Sequence, residues 1–464
     1  MRTTLQDCLQ QAGGDDHVEL RYHAKSFRSV RFENGGLEKA TTRRRDGVGV
    51  RVLSSGTWGF AATDRLDRAS ICEAIDRARA SAQASAPFRT RKVPPLPPAQ
   101  LAVGHFEEAG VEEAEARSFE ERVALVERLE RAVRATSSEV PSAKAVYNEI
   151  IENKAIATTD GADVSYRLVR PELYVSAVAE RDGQRTSVSE SVGVTGPWSC
   201  LFREPGEVLA SRAAQTAVDL LRAKAPEGGR KTVILAPSIV GLLVHEAIGH
   251  TVEADFVQSG SVAAGLMGQQ VASELVTLCD SGRSEHHPGA GGVIPVDDEG
   301  VLAGRTEIIR QGRLVSYLHN RESAAHFGVA PTGNARAWEY ADQPLIRMRN
   351  TFIEPGELTL EEIIATTEDG YLLDGPRNGQ ADATGEFMFG VVTARRIRKG
   401  VLGELIRGVT VTGTAFDVLR SVDAVSSNFR WDLGSGHCGK GQPAKVDAGG
   451  PYIRCRAILG GEQG

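Results

Sequence analysis

The chain has 464 residues, enough for two to four domains of roughly 100–200 residues each. Hydrophobic residues make up 41% of it and charged residues 25%, so it can bury a large core without a disulfide framework. The formal net charge of −7 argues against broad attraction to nucleic acid or to an anionic membrane.

Two further features indicate the compartment. The six cysteines include no CxxC pair, which favours a reduced environment. The first residues lack the basic-then-apolar order of a secretory signal, and the longest apolar stretch, 233–244, is too short to span a bilayer. We therefore expect a cytoplasmic protein that binds neither nucleic acid nor membrane.

Shifts in composition divide the chain into three regions and predict an α+β fold. The proline-rich stretch 94–98 holds the backbone extended and marks the first boundary. We expect an N-terminal α/β domain over residues 1–93, a middle hairpin-rich domain with helices over 106–228, and a C-terminal, largely β domain over 230–464. The last of these carries one very apolar helix, which is expected to begin near Ser238 and to contain His245 and His250. We call it the motif helix.

The N-terminal region predicts a hairpin followed by a helix. Residues 48–53 predict a strand, residues 54–56 a turn, and Trp58 the start of the return strand. Asp64 is the expected N-cap of the helix after this hairpin.

Helices and hairpins alternate through the middle region, and strands predominate in the last. In the middle region we expect a helix over 119–133, strands that turn at Asp160-Gly161 and Asp182-Gly183, and a helix over about 207–224. In the last region we expect a strand at 232–236, the motif helix with Ser238 as its N-cap, and strands at 292–296, 305–309 and 314–318.

The motif helix contains the pattern HExxxH, from His245 to His250. Neutral imidazoles suit zinc, and Glu246 can take a proton from a metal-bound water. In the familiar HExxH pattern the histidines share a helical face, whereas these two lie about 140° apart on a regular helix at 3.6 residues per turn. Both can reach one metal only where the helix widens or ends, and Gly249 is the expected place because glycine permits such a departure. A buried core histidine is the alternative interpretation.

A catalytic zinc needs three protein ligands and a water, and the residues alone leave the third ligand open. The candidates are Glu253, Asp255, Cys279, His286, His287, His319, His326 and Cys438. Residues 285–287 precede Pro288 and are typical of a solvated loop, and the two later histidines equally fit a polar surface. Cys438 stands out because its flanking glycines let the backbone approach a buried site. An ordinary buried thiol is the alternative for Cys438.

Further motifs succeed one another along the chain. They are Gly47-Val48-Gly49-Val50-Arg51 with Trp58-Gly59-Phe60, the HExxxH segment with Glu253, Asp255 and Phe256, Pro331-Thr332-Gly333-Asn334, Arg347-Met348-Arg349-Asn350-Thr351, Gly379-Gln380-Ala381-Asp382, and Cys438-Gly439-Lys440. Together they cover nearly the whole length, and the chain resembles the TldD/PmbA family, in particular its catalytic TldD-type members. A set of ordered motifs is far more specific than HExxxH alone.

The resemblance implies a zinc metallopeptidase in which His245, His250 and Cys438 hold the metal and Glu246 is the general base. It implies a cytoplasmic enzyme that hydrolyses unfolded or extended peptides, including leader or precursor processing of peptide natural products. It also implies a heterodimer with a PmbA-type (TldE-type) subunit, with a homodimer as the alternative. The PmbA-type subunits lack HExxxH, so its presence here disfavours a noncatalytic partner.

Two expectations concern the substrate and the competing functions. Asn334 and Arg349 are predicted to be substrate-groove residues, because their surroundings are polar, glycine-adjacent or basic. The alternative is that they are structural turn residues. An extended peptide is expected to lie along a strand edge. Two other classes stay open: a noncatalytic regulatory subunit that keeps a structural metal, and a thiol enzyme whose nucleophile is Cys438, beside His437.

Overall fold

The predicted α+β class is confirmed by a computed structural model, which describes residues 1–107, 109–382 and 384–461. Among these residues, no helix is both long enough and apolar enough to cross a bilayer. The helices are α1 (Arg2–Ala12), α2 (Arg68–Ser85), α3 (Val111–Ala116), α4 (Phe119–Ala135), α5 (Gly206–Leu220), α6 (Pro237–Leu242), α7 (Ala254–Gln258), α8 (Arg321–Phe327), α9 (Leu360–Ala365) and α10 (Ala415–Arg420).

Among the described residues, strands are more numerous than helices. The earlier strands are β1 (His17–Glu33), β2 (Gly36–Ser54), β3 (Thr57–Thr63), β4 (Val103–Glu107), β5 (Ser142–Thr158), β6 (Asp163–Arg181) and β7 (Gln184–Gly193). The later strands are β8 (Gly229–Leu235), β9 (Leu278–Ser281), β10 (Arg305–Arg310), β11 (Arg313–Leu314), β12 (Ala335–Arg336), β13 (Leu345–Ile346), β14 (Asn350–Ile353), β15 (Asp369–Ala381), β16 (Glu386–Arg398), β17 (Val401–Ile406), β18 (Val409–Thr414), β19 (Ala424–Val425), β20 (Arg430–Trp431), β21 (His437–Gly439), β22 (Pro443–Lys445), β23 (Asp447–Gly450) and β24 (Ile453–Gly461).

One sheet joins the first two predicted regions. Its strand order is β3-β2-β1-β5-β6-β4, with β7 beside β6. Strands β1 and β5 run antiparallel from Glu19 opposite Thr158 to Glu33 opposite Lys144. The proline-rich stretch therefore connects two parts of a single sheet, and the domain boundaries stay a prediction.

Helix α6, the first part of the motif helix, lies in the core of the last region, in contact with two sheets. One sheet has the order β11-β10-β9-β14-β23-β20. The other has the order β15-β8-β24-β18-β16-β17, and because β15 also pairs with β16, five of its strands close into a ring. Ile239, Val240 and Leu243 are fully buried in this core. The motif helix is therefore held by packing on several sides.

The hairpin predictions and two helix predictions are confirmed. Strands β2 and β3 pair across the turn expected at 54–56, and β5, β6 and β7 pair across the two Asp-Gly dipeptides. Asp182 and Gly183 both have positive φ, as the tight turns favoured by hairpins require. Helices α4 and α5 lie within a few residues of their expected positions.

Two predicted helix caps are wrong. The N-cap of α2 is Asp67, not Asp64, and its carboxylate accepts the Ser70 amide at 2.9 Å. Helix α6 begins at Pro237, whose fixed φ suits the first helical position. The Ser238 hydroxyl lies inside the helix and donates instead to Asp374 at 2.8 Å.

Two predicted strands also differ in the structure, whereas the strand expected at 305–309 is present as β10. Residues 292–296 form no strand: the Gly292 amide donates to the Asn350 side chain at 2.8 Å, and Val296 makes a single bridge, to Leu302. The strand expected at 314–318 ends at Leu314, and Leu318 makes only a single bridge to Glu253.

Acidification is expected to weaken the fold through His319. Burial lowers the pKa of this imidazole to about 4, whereas an unfolded histidine takes up its proton near pH 6.5. The unfolded state therefore binds more protons between these two values, so stability falls as the pH falls through that window. We expect the thermal midpoint to fall between pH 7 and pH 4.5, and His319→Asn to reduce the slope, in a fluorimetric melt. The exposed His105 provides the control, since His105→Asn should keep the wild-type slope; an unchanged slope in His319→Asn contradicts the assignment.

Candidate metal centre

The helix that carries the two motif histidines changes its winding between them. It is an α-helix up to Leu242, a π-helix over Leu243–Gly249 and a 3-10 turn over His250–Val252. The amide of His250 donates to the carbonyl of His245, five residues earlier. This wider turn brings the two imidazoles together, with ring centroids 5.3 Å apart. The predicted local widening is confirmed.

Gly249 permits this winding because it has no side chain, and not because its backbone takes an unusual conformation. Its φ of −54° is an ordinary helical value. A Cβ at this position would lie 1.9 Å from the sulfur of Met348 and 3.2 Å from the carbonyl oxygen of Val244. The widened turn is thus packed directly against Met348, which is fully buried.

Cys438 reaches the helix from a short hairpin near the end of the chain. It lies in β21, opposite Ala444 of β22. The buried guanidinium of Arg347 donates to the carbonyl of Cys438 at 2.5 Å and to that of Gln442 at 2.6 Å. Arg347 therefore fixes both sides of the hairpin, and it immediately precedes the methionine that packs on Gly249.

The structure brings His245, His250 and Cys438 into one cluster. One potential ligand atom from each lies within 4.8 Å of the others, and the Cys438 sulfur is 3.2 Å from Nε2 of His250. His245 and Cys438 are buried, and Nδ1 of His245 has no hydrogen-bond partner among the described residues. Two imidazoles and a thiolate are ligands that zinc prefers. The residues present fit a zinc ion.

Glu246 lies beside this cluster. Its Oε2 is 3.8 Å from Nε2 of His250, and its side chain is 35% exposed. It faces a cleft of about 1220 Å³, whose other lining residues come mainly from β15, β16, β18 and α10. The carboxylate is therefore open both to the cluster and to solvent.

The other candidate ligands lie outside the cluster of three. Across the described residues, no second group of ligating side chains comes as close together as this one. His286 pairs with Glu354 at 2.9 Å, and His319 lies against the hydroxyl of Ser323. Glu253, by contrast, contacts a member of the cluster: its carboxylate lies 3.4 Å from Nδ1 of His250. It contacts a ligand candidate without joining the cluster.

Glu253 connects the cluster to Lys440. The Lys440 ammonium lies 2.8 Å from Glu253 and 2.6 Å from Asp255, and 4.4 Å from the centroid of the Phe256 ring. Glu253 is fully buried, so this cation balances a charge that would otherwise be costly. A carboxylate on the outer nitrogen of a ligating histidine orients the ring and sets its tautomer. Glu253 and Lys440 each lie in one of the sequence motifs that resemble the TldD/PmbA family, but the sequence did not predict that they contact each other.

Contacts within the cluster lower the pKa of Cys438 and raise that of His250. Burial raises the pKa of the Cys438 thiol, but hydrogen bonds to His245 and His250 outweigh that effect and lower it to about 5. Burial lowers the pKa of His250, but its contacts with Cys438 and Glu253 raise it to about 10. In the metal-free chain the pair is therefore a thiolate facing an imidazolium.

Asn334 and Arg349 lie in a buried network rather than on the cleft. Both are fully buried. The Asn334 amide donates to Asp280 at 2.8 Å and to the carbonyl of Arg347 at 2.9 Å, and the Arg349 guanidinium donates to Asp280 at 2.7 Å. These contacts support the alternative, structural interpretation, and substrate contact by either residue stays a prediction that their burial does not favour.

Comparison with known proteins gives the family. Family profiles described as PmbA/TldA metallopeptidase domain 1, central domain and C-terminal domain match residues 18–82, 112–221 and 228–459 in that order. A metalloprotease from Methanothermobacter thermautotrophicus is 33% identical over 450 residues, which are 96% of each chain. The chain therefore belongs to the TldD/PmbA family of metallopeptidases, and the resemblance found in the sequence is confirmed.

Two further proteins are similar to this chain, one in sequence and one in fold. A Saccharolobus solfataricus protein named zinc metalloprotease TldD homolog is 27% identical over 93% of this chain and 96% of its own length. The structure of TldE from Thermococcus kodakarensis has a TM-score of 0.80 at 18% identity, covering 99% of this chain and 100% of that one. The first name associates zinc with a relative, and the second comparison shows a shared fold.

The contact between Gly249 and Met348 is expected to control zinc binding. Gly249→Ala places a methyl group against the methionine sulfur and should cost about 1–3 kcal/mol of stability, the usual range for overpacking. It should also weaken zinc binding, measured by titration against a chelating dye, because the histidines move apart. Adding Met348→Ala makes room and should restore part of the affinity. Gly304→Ala, with nothing near its Cβ position, is the control; zinc affinity unchanged in Gly249→Ala contradicts this role.

Alkylation of Cys438 should show the low pKa of its thiol. In metal-free protein the rate of reaction with iodoacetamide is expected to be nearly constant from pH 6 to pH 8.5, because the thiol is already ionised above about pH 5. An ordinary cysteine reacts about tenfold faster per pH unit in this range. Peptide mass spectrometry measures the alkylation rate of each cysteine, with the half-exposed Cys200 as the internal control. Zinc should protect Cys438 alone; a pH profile like that of Cys200 contradicts the pairing with histidine.

Proposed function

We propose that this chain is a zinc-dependent peptidase that hydrolyses unfolded or extended peptides, with His245, His250 and Cys438 as metal ligands and Glu246 as general base. The observation that carries the proposal is the meeting of two imidazoles and a thiol within 4.8 Å, beside a carboxylate that faces a cleft. Leader or precursor processing of peptide natural products is part of the proposal.

Zinc and the protein divide the chemistry. When bound, zinc acidifies a water molecule and polarises a peptide carbonyl. Glu246 accepts the proton of the attacking water and returns it to the departing amine, as a general base and then a general acid. Its position supports this role, because the carboxylate lies 3.8 Å from His250 and is partly open to the cleft. Glu253 and Lys440 hold the His250 ring in place.

The part of β15 that lies beyond its pairing with β8 supports an extended substrate. Strand β15 pairs with β8 only over residues 371–373. Beyond that point, among the described residues, the side of β15 away from β16 carries no strand. Gly379, Gln380 and Ala381 on this part of β15 line the cleft together with Glu246. A peptide added to this edge would gain backbone hydrogen bonds with little demand on its sequence.

The proposal includes a TldE-type partner in the cytoplasm, with a homodimer as the alternative. Membership of the TldD/PmbA family supports the pairing, and the likeness to TldE supports it at the level of the fold. The noncatalytic alternative would need no general base, so Glu246 decides between the two. The thiol-enzyme alternative is favoured by one observation, the 3.2 Å contact between Cys438 and His250. It requires that the metal-free chain be active and that a chelator have no effect.

Replacing Glu246 by Gln should separate catalysis from metal binding. We expect the rate of cleavage of unfolded casein to fall by at least about 100-fold, the usual contribution of a general base. Zinc content, measured by elemental analysis, should stay close to one ion per chain because the three ligands are unchanged. The assay is run with and without a TldE-type subunit, and before and after chelation.

The matched control is Glu361→Gln, on the exposed side of α9, which should retain full activity. Cleavage at the wild-type rate by Glu246→Gln would exclude Glu246 as the base. Full activity of the chelated, zinc-free protein, lost on alkylation of Cys438, would favour the thiol enzyme.

A further inference from the structure

A second groove continues from the cleft at Glu246. It has a volume of about 1230 Å³ and shares Gly379, Gln380 and Met388 with the cleft. It runs along the same two strands, β16 and β18, further along their paired length. Its far wall comes mainly from the first residues of β7, with Val178 of β6 and Leu220 of α5. Cleft and groove therefore form one channel, which we call the substrate channel.

The two ends of the substrate channel differ in charge. The cleft at Glu246 is lined by both acidic and basic side chains. All the charged residues that line the groove are arginines, namely Arg185, Arg377 and Arg407. Arg185 is paired with Glu180 at 2.6 Å, so the other two carry the unbalanced positive charge of this end.

Neutral side chains hold Arg377 and Arg407 in position. The Arg377 guanidinium donates to the hydroxyl of Ser187 at 2.9 Å, and that of Arg407 donates to the side-chain oxygen of Gln184 at 3.1 Å. Among the residues that the structure describes, neither arginine forms an ion pair with a carboxylate. A guanidinium has five donors, so each retains several for another acceptor.

Arg377 also lies on the strand edge at which an extended substrate would bind. It precedes Ala381 by four residues on β15, which corresponds to about 13 Å at 3.3 Å per residue. Ala381 lines the cleft with Glu246, and Arg377 lines the groove. A peptide lying along β15 with its scissile bond near Glu246 would bring a residue three to five positions away beside the two arginines.

We propose that Arg377 and Arg407 form a subsite for a carboxylate of the substrate peptide, three to five residues from the bond that is cleaved. This inference rests on the proposed function. Guanidinium and carboxylate groups form charge-assisted hydrogen bonds with matching geometry. The carboxylate can be a Glu or Asp side chain or the C-terminus of the peptide, which share this chemistry. The channel therefore selects acidic over neutral peptides.

Peptide binding to the inactive Glu246→Gln chain, loaded with zinc, tests the subsite without requiring turnover. The probes are peptides of about twelve residues that carry a neutral coumarin label and no charge apart from the tested position, at which one Glu or one Gln is moved along the sequence. We expect the best Glu peptide to bind about fivefold more tightly than its Gln partner, with the difference lost at about 0.5 M salt. Amidated and free C-termini distinguish the two sources of carboxylate.

Variants of the arginines then assign the preference. The double variant Arg377→Gln with Arg407→Gln should abolish the preference for the Glu peptide. Arg398→Gln, at an exposed position of β16 outside the channel, should retain that preference. Arg377→Glu with Arg407→Glu should instead favour a Lys peptide, which a folding defect would not produce. Equal binding of Glu and Gln peptides at every position, or a preference that survives in the double variant, overturns the proposal.

The same peptides distinguish failure of the subsite from failure of the proposed function. If the zinc-loaded wild-type chain, alone and with a TldE-type subunit, cleaves neither acidic nor neutral peptides, the peptidase assignment fails. The binding preference of the Glu246→Gln chain still decides the subsite in that case. If neutral and acidic peptides are cleaved with equal kcat/KM and bound equally, only the subsite fails.

Discussion

The hydrogen bond from the His250 amide to the His245 carbonyl determines whether the centre can exist. A regular helix would point the two rings about 140° apart, and the five-residue bond brings them together. The segment that includes Arg347 and Met348 supports this arrangement at two points. Met348 packs against the widened turn at Gly249, and Arg347 fixes the hairpin that supplies Cys438. One short segment thus sets the position of all three ligand candidates.

Charge alternates along a line from the centre to the surface. The Cys438 thiolate faces the His250 imidazolium, which contacts the buried Glu253 carboxylate, which in turn contacts Lys440. Asp255, which is half-exposed, lies at the outer end. Each buried charge therefore has an opposite neighbour, as burial requires. A divalent cation would replace the imidazolium proton as the partner of the thiolate, without disturbing the outer pairs.

The sequence predicted those features that depend on local spacing. The five-residue separation of the histidines required a widened turn, and the Asp-Gly dipeptides located the hairpins. Features that depend on distant partners could not be predicted. Ser238 has the chemistry of a cap but donates to Asp374. Arg349 has the chemistry of a binding residue, but Asp280, far away in the sequence, makes it a buried structural residue. The roles of Met348 and Lys440 likewise arise only from contacts across the fold.

The pairing of β1 with β5 makes the first hundred residues inseparable from the middle of the chain. A protease that cut the proline-rich stretch would leave the two fragments joined along a continuous ladder from residue 19 to residue 33. A truncation at the same point would strip β5 of its neighbour and expose a long unpaired edge, which is prone to aggregation. The natural units for dissection or gene fusion in this chain are therefore not the segments that its prolines suggest.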